Sequence, residues 1–250
     1  MATEAAEFRK LDIGRVIERG FAVIGRHCLP LTALVLLLSV VPQTALQYQL
    51  QGDLRAGIST FSSPYYWGSI AVSTIMGSLV QAFLVGVSIR DLRGRDPDYA
   101  GSVAEAVQLI PALVGISLLS GLMIAIGTIL LIIPGLIAIV ELIVAVPALV
   151  QERLGVIGSM TRSRDLTKGS RRQIFLLVVL GALAFGALSF TMSSIGGMIP
   201  GASLWRSALA EALSGAAVAI LSASMTSALY IELRALREGG LTNDIAAIFA

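Results

Sequence analysis

The chain has 250 residues, of which 56% are hydrophobic and only 14% charged, with a mean hydropathy of +0.84. Soluble domains carry about 25% charged residues, so this composition excludes an ordinary water-soluble globular domain. The formal net charge of +2 says little as a total; its distribution along the chain says much more.

No charged residue stands between Arg55 and Arg90, and uncharged runs also cover 27–52, 106–140, 173–205 and 212–231. A membrane-spanning helix needs about 20 apolar residues to cross roughly 30 Å of hydrocarbon. Each run meets that length. The pattern predicts an all-α, polytopic membrane helical bundle in a single domain over 1–250, with a cytoplasmic amphipathic segment (1–26), a six-span bundle (27–235) and a cytoplasmic tail (236–250).

Taken in chain order, residues 13–24 place Ile13, Val16, Ile17, Phe21 and Ile24 on one helical stripe. Asp12, Arg15, Arg19 and Arg26 face away, the pattern of a helix lying on a membrane. No cleavable signal peptide is expected, because Glu4, Glu7, Asp12 and Glu18 precede the first apolar run. The spans are predicted at about 29–50, 67–89, 111–133, 134–150, 174–196 and 207–233. Ile133-Pro134-Gly135 divides the third from the fourth, since proline and glycine permit a reversal and proline suits a first helical turn. Before the third span, Ser102 and Glu105 have capping-box spacing, with Val103, Ala106, Val107 and Ile110 on the apolar side. A third interfacial helix is expected over about 155–167, with Val156, Ile157 and Met160 facing one way.

Basic residues set the orientation. Sixteen of the 18 fall before the first span, between the second and third, between the fourth and fifth, or after the sixth; Arg55 and Arg206 are the exceptions. The positive-inside rule then puts both termini in the cytoplasm, in agreement with an even number of spans. Tyr65-Tyr66-Trp67 and Trp205 fall at the opposite ends, as interfacial anchors do. The predicted location is a membrane crossed several times.

Few residues offer chemistry. Cys28 has only His27 beside it, which excludes a disulfide within the chain and a Cys/His zinc site; no cofactor and no catalytic constellation is implied. Glu141 lies near the middle of the fourth span, where an ionisable group is a functional hypothesis by default. It is read either as a proton or cation relay or as a hydrogen-bonded tie between helices, with Thr128, Ser189, Thr191, Ser222 or Ser224 as donors. No second acid or base within the spans offers itself as a partner. Glu211, near Arg206, reaches for the outer interface, and Pro147 introduces a static kink. Gly215, Ala219, Ala223 and Ser227 in the sixth span, like Ser117, Gly121 and Ala125 in the third, place small residues at four-residue intervals for helix packing.

Arg162, Arg164, Lys168, Arg171 and Arg172 cluster beside the start of the fifth span. They are read as a site for anionic lipid headgroups or for a protein partner. Asp165 and Thr167 are expected to satisfy backbone groups at a helix end, and Gly169 to supply a left-handed stop. The basic groups need no nucleic-acid partner, and homo-oligomerisation is left open.

Pro134-Gly135, Pro147, Glu152-Arg153-Leu154-Gly155-Val156 and Arg162-Ser163-Arg164-Asp165-Leu166-Thr167-Lys168-Gly169 resemble a bacterial pattern. They are similar to the membrane domain that precedes the catalytic part of some glycerophosphoryl diester phosphodiesterases, and to related stand-alone six-helix inner-membrane proteins. Tyr230-Ile231-Glu232-Leu233-Arg234 with Glu238-Gly239 resembles the family's Tyr-x-x-x-Arg and Glu-Gly tail. The resemblance implies a membrane component and no activity, because the family's phosphodiesterase chemistry belongs to a separate soluble barrel of about 250 residues. Glu141 stands where relatives are expected to carry an apolar or aromatic residue. The reading is a non-enzymatic accessory of envelope or lipid-related physiology, the alternative being a small-solute or lipid transporter using Glu141.

Overall fold

The computed structural model describes residues 11–96, 98–197 and 204–248, with side chains described except at Ser39, Gln51, 188–189, 192–212 and beyond Glu238. Among these residues every regular element is helical. Five helical stretches are long and apolar enough to cross a membrane, or six if a pair bent by 105° counts as one.

The first stretch is longer than its apolar run. Helix α1 (Ile13–Val35) is capped by Asp12, whose carboxylate accepts from the Arg15 backbone N–H, and continues through a π-turn at Leu36–Val40 into α2 (Val41–Arg55). The amphipathic segment is therefore joined to the first span, with a kink at His27. Pro30 accounts for the kink, since it has no N–H to give the preceding turn and its ring crowds that turn's carbonyl. Pro42 follows the π-turn, which opens the helix by one residue where the ring would otherwise clash.

Helix α3 (Pro64–Leu92) begins at Ser63, whose Oγ accepts from the Tyr65 N–H and donates to Asp53. Helix α4 (Tyr99–Gln108) is capped by Asp98, which accepts from the Gly101 N–H. The expected Ser102–Glu105 capping box is thus corrected. Ser102 sits buried inside the helix, facing Gly86 of α3, while Glu105 turns to Arg90. Val107, expected on the apolar side, is exposed.

Helices α5 (Ile110–Leu130) and α6 (Ile132–Leu142) form a tight hairpin around one extended residue, Leu131. The reversal comes before Pro134-Gly135, not at it. Pro134 lies in the first turn of α6, where a missing N–H costs nothing. Gly135 lets the two backbones meet: a Cβ on Gly127 would lie 2.9 Å from the Gly135 nitrogen. Most of the hairpin's large apolar side chains point outward.

A two-residue break separates α6 from α7 (Ala145–Glu152). Pro147 in the first turn of α7 explains it, having no N–H for the preceding carbonyls. After α7 the chain turns through Arg153 in a left-handed conformation, φ 50°. Helix α8 (Gly155–Thr167) then packs back against α5 and α6. Val156 sits against Gly115 and Met160 is buried, but Ile157, one residue further round the helix, faces outward. Gly169 ends the turn with φ +88°, as expected, and the chain bends by 105° into α9 (Arg171–Gly197). Helix α10 (Leu204–Ile248) runs along α1 and α3 and remains helical through the segment expected to be a tail.

The core joins Val16 and Leu31 of α1, Phe83 and Ile89 of α3, Leu149 of α7 and Leu229 and Tyr230 of α10. Close approach of α1 to α10 needs Gly20, where a Cβ would press on the Met225 side chain.

Candidate functional site

Charged side chains gather at the end of the bundle where α3 and α7 finish, and they pair across elements remote in sequence. Glu232 of α10, its side chain only 9% exposed, accepts from Arg15 at 2.9 Å and from Arg19 at 2.8 Å. Arg15 and Arg19 thus tie the edge of α1 to α10, beside the buried Val16, Gly20 and Val23. Asp91, at the end of α3, takes Arg26 and His27, each at 3.0 Å, and Tyr99 Oη meets the other ring nitrogen of His27 at 2.9 Å. Glu105 of α4 takes Arg90 at 2.9 Å and Arg153 at 3.9 Å.

A larger network centres on Glu152. Its carboxylate accepts from Arg162 Nε at 2.9 Å and from the Tyr230 hydroxyl at 2.7 Å. Arg162 also holds Glu238, which in turn takes Arg234 Nε at 2.6 Å. Buried carboxylates are tolerated when paired and hydrogen-bonded, and here one carboxylate satisfies a guanidinium and a phenol together. Sequence reasoning did not assign these partners. The signal was present, since Glu152, Arg162, Tyr230, Arg234 and Glu238 all belong to the segments that carry the family resemblance.

Glu141 is the second centre. Its side chain, 18% exposed, lies 2.6 Å from Arg171 Nη2 and 3.4 Å from Arg164 Nε. The Arg164 Nε has no hydrogen-bond partner, so this longer contact is electrostatic rather than a formed bond; the Arg171 pair is the stronger one. The same turn of α6 is tied through its backbone, because Ser163 Oγ donates to the Glu141 carbonyl at 2.6 Å. That carbonyl lies in the last turn of α6, where helical partners run out. The break before Pro147 thus creates the acceptor that docks α8.

Sequence reasoning found no acid or base within the spans to partner Glu141, and its partners come from residues predicted to lie outside them. Arg164 and Arg171 reach it because α8 folds back alongside α6. The proposed hydroxyl donors are used elsewhere: Thr128 donates to Ile124, Thr191 to Ala187 and Ser222 to Ala219. Ser224 is buried with no hydrogen-bond partner among the described residues, and the Ser189 side chain lies outside those described, as do those of Glu211, Trp205 and Arg206.

Four of the five basic residues in the cluster are taken up by acids. Arg162 belongs to Glu152 and Glu238, Arg164 and Arg171 share Glu141, and Lys168 pairs with Asp165 at 2.7 Å. Asp165 therefore meets a side chain rather than the backbone, whereas Thr167 does satisfy a carbonyl, that of Arg164, at 3.1 Å. Arg172 is exposed and has no carboxylate within ion-pairing distance among the described residues. Of the small residues on α10, Ala223 and Ser227 are buried, Ala219 is partly buried, and Gly215 faces open space. On α5, Ser117 meets Ser78 of α3 at 3.1 Å, while a Cβ on Gly121 would touch nothing.

At the other end, Phe61, Tyr66 and Trp67 stack edge to face, and Trp67 donates to the Phe61 carbonyl at 3.0 Å. No family model matches the chain, and no solved structure matches it.

Proposed function

We propose that this chain is a six-span bacterial inner-membrane protein, with α9 as the fifth span and both termini in the cytoplasm. It acts without catalysis as an accessory component of envelope or lipid-related physiology. One observation carries this reading: the charges of the N-terminal helix, the α3–α4 connection, the α7–α9 region and the end of α10 pair with one another at one end of an apolar bundle. Four segments that the positive-inside rule assigns to one side are thereby brought into contact.

In this reading Glu141 is a brace. A carboxylate shared by two guanidiniums holds α6 to α8 and α9, and its charge is already balanced without a travelling proton or cation. The placement of Glu152, Arg162, Tyr230, Arg234 and Glu238 in one network supports kinship with the membrane domain of glycerophosphoryl diester phosphodiesterases, in which these residues act as architecture. Arg172, with the outer faces of Lys168 and Arg171, contacts anionic headgroups beside the start of α9.

Two experiments test this. Single cysteines at Ser59, in a Cys28→Ser background, react with an impermeant thiol reagent in intact spheroplasts, and those at Gly94 or Ser170 do not; the reverse labelling sinks the topology. Reconstituted protein shows no saturable solute flux. Flux abolished by Glu141→Gln in a folded protein would replace the accessory role with transport.

A further inference from the structure

A cavity of about 220 Å³ opens where α3, the α3–α4 connection and the α7–α8 junction meet; it is lined by Arg90, Arg93, Arg95, Glu105, Gln151 and Arg153. We infer that it binds a phosphate group. Four guanidiniums face a single lining carboxylate, that of Glu105, which Arg90 and Arg153 already share, and Arg90 also reaches Asp98, outside the lining, at 3.5 Å. Arg93 and Arg95 have no acid within ion-pairing distance among the described residues. An arginine fork matches phosphate oxygens in pairs, so an entering phosphate meets donors that the protein itself does not saturate.

The backbone turn that carries these side chains is formed before any ligand arrives. The N–H groups of Arg93 and Arg95 both return to the Arg90 carbonyl, at 3.2 and 3.0 Å, and Gly94 takes φ +70° to close the turn. Opposite them Arg153 occupies a left-handed conformation, which a residue with a Cβ rarely adopts. Glycine would fit that position without cost, yet arginine is present, and its side chain lines the cavity. Strain of this kind gathers at binding sites.

Size and depth narrow the ligand. Pockets for drug-sized molecules span about 300–1,000 Å³, so this one takes a phosphate and a little of what it is esterified to. Its inner wall includes Ile89 and Val150, the apolar ends of α3 and α7, which is the level of lipid phosphates around a spanning helix. The shared chemistry is a phosphate, from an anionic phospholipid or from a soluble phosphate. The inference does not depend on orientation, since both membrane faces offer phosphates.

The test uses the full-length protein in nanodiscs of phosphatidylglycerol and phosphatidylcholine, with bound lipid read by native mass spectrometry. In parallel, inorganic phosphate binding is measured by calorimetry in detergent. Arg93→Gln with Arg95→Gln lowers occupancy about tenfold or more, each arginine near such a surface being worth about fivefold. Arg153→Gly relieves the backbone and so leaves folding at least as robust, yet also weakens binding. Glu105→Gln strengthens it. Arginine-dependent retention of phosphatidylglycerol alone assigns a lipid, and arginine-dependent binding of inorganic phosphate assigns a soluble ligand; either supports the site. Equal binding by the parent, the double mutant and Arg153→Gly overturns it, whatever the labelling experiment reports about topology.

Discussion

The α5–α6 hairpin and the charged end of the bundle are held together by opposite means. In the hairpin the outward surface is apolar, and the two helices meet through Gly127, Gly135 and Thr128 with almost no side chain between them. At the charged end, large side chains from distant helices meet through carboxylates. Lipid tails are as apolar as leucine, so burying leucine gains little in a membrane and close backbone contact must serve instead. Near the interface a charge must find either water, a headgroup or a partner. Each region uses the interaction that its surroundings leave most effective.

The largest effect expected comes from filling the hairpin seam. Gly135→Leu places its Cβ about as close to the Thr128 backbone as a hypothetical one on Gly127 comes to Gly135, 2.9 Å. Neither backbone can yield, so the helices part at a cost of about 3 kcal/mol, the upper end of overpacking. Monodisperse yield and thermal unfolding should both fall sharply. Gly121→Leu, on the partner helix α5 but facing open space, leaves both unchanged, and an equal loss at the two positions would dissolve the distinction between seam and surface.

Next comes Glu232. Replacing Arg15 and Arg19 together by Gln strands a carboxylate that is 9% exposed, whereas Glu232→Gln strands arginines that are 51% and 41% exposed and readily hydrated. Breaking a buried pair costs about 3–5 kcal/mol; with half-exposed arginines about 2 kcal/mol is expected for the double arginine variant. About 1 kcal/mol or less follows for Glu232→Gln. Chemical unfolding in mixed micelles compares the two, and equal losses would mean that the carboxylate is better hydrated than its burial implies.

Smaller still is Glu141. Glu141→Leu removes one interhelical tie with partly exposed arginines, costing about 1 kcal/mol, and Glu141→Gln, which retains hydrogen-bonding capacity, costs less. Thermal stability of the purified variants measures the ranking. Arg172→Gln closes the series with a stability change within about 0.5 kcal/mol, since its stem of α9 is exposed and pairs with no carboxylate among the described residues.

Much of the fold was legible because absence of charge is a strong signal over 20 residues, and the long apolar helices follow those runs. Places where a helix stops were less legible. Pro134 reads equally as the centre of a turn or as the first turn of the next helix, and the chain uses the second option, with Leu131 as the turn. Asp98, directly after Pro97 and three residues before Gly101, is as good a cap as Ser102; choosing between them requires knowing that Ser102 faces Gly86. The partners of Glu141 were hidden for a topological reason. Ser163, 22 positions away, reaches the same turn as Arg164 and Arg171 only because α8 reverses, and hydropathy does not register the direction of a short polar helix. Gly169 and Thr167, whose roles are local, were read correctly from the sequence.

The fold-back of α8 also sets an order of events during synthesis. Glu141 leaves the ribosome before Ser163, Arg164 and Arg171, and at about 5–20 residues per second the last of these follows roughly 1.5 to 6 seconds later. For that interval the newly made helix carries a carboxylate without its partners, at an insertion cost of about 3 kcal/mol set against its isoleucines, leucines and valines. A nascent chain halted after Glu152 is therefore a less settled guest of the insertion machinery than one halted after Gly181. Both guanidinium partners of Glu141 are in place only once Arg171 has been made.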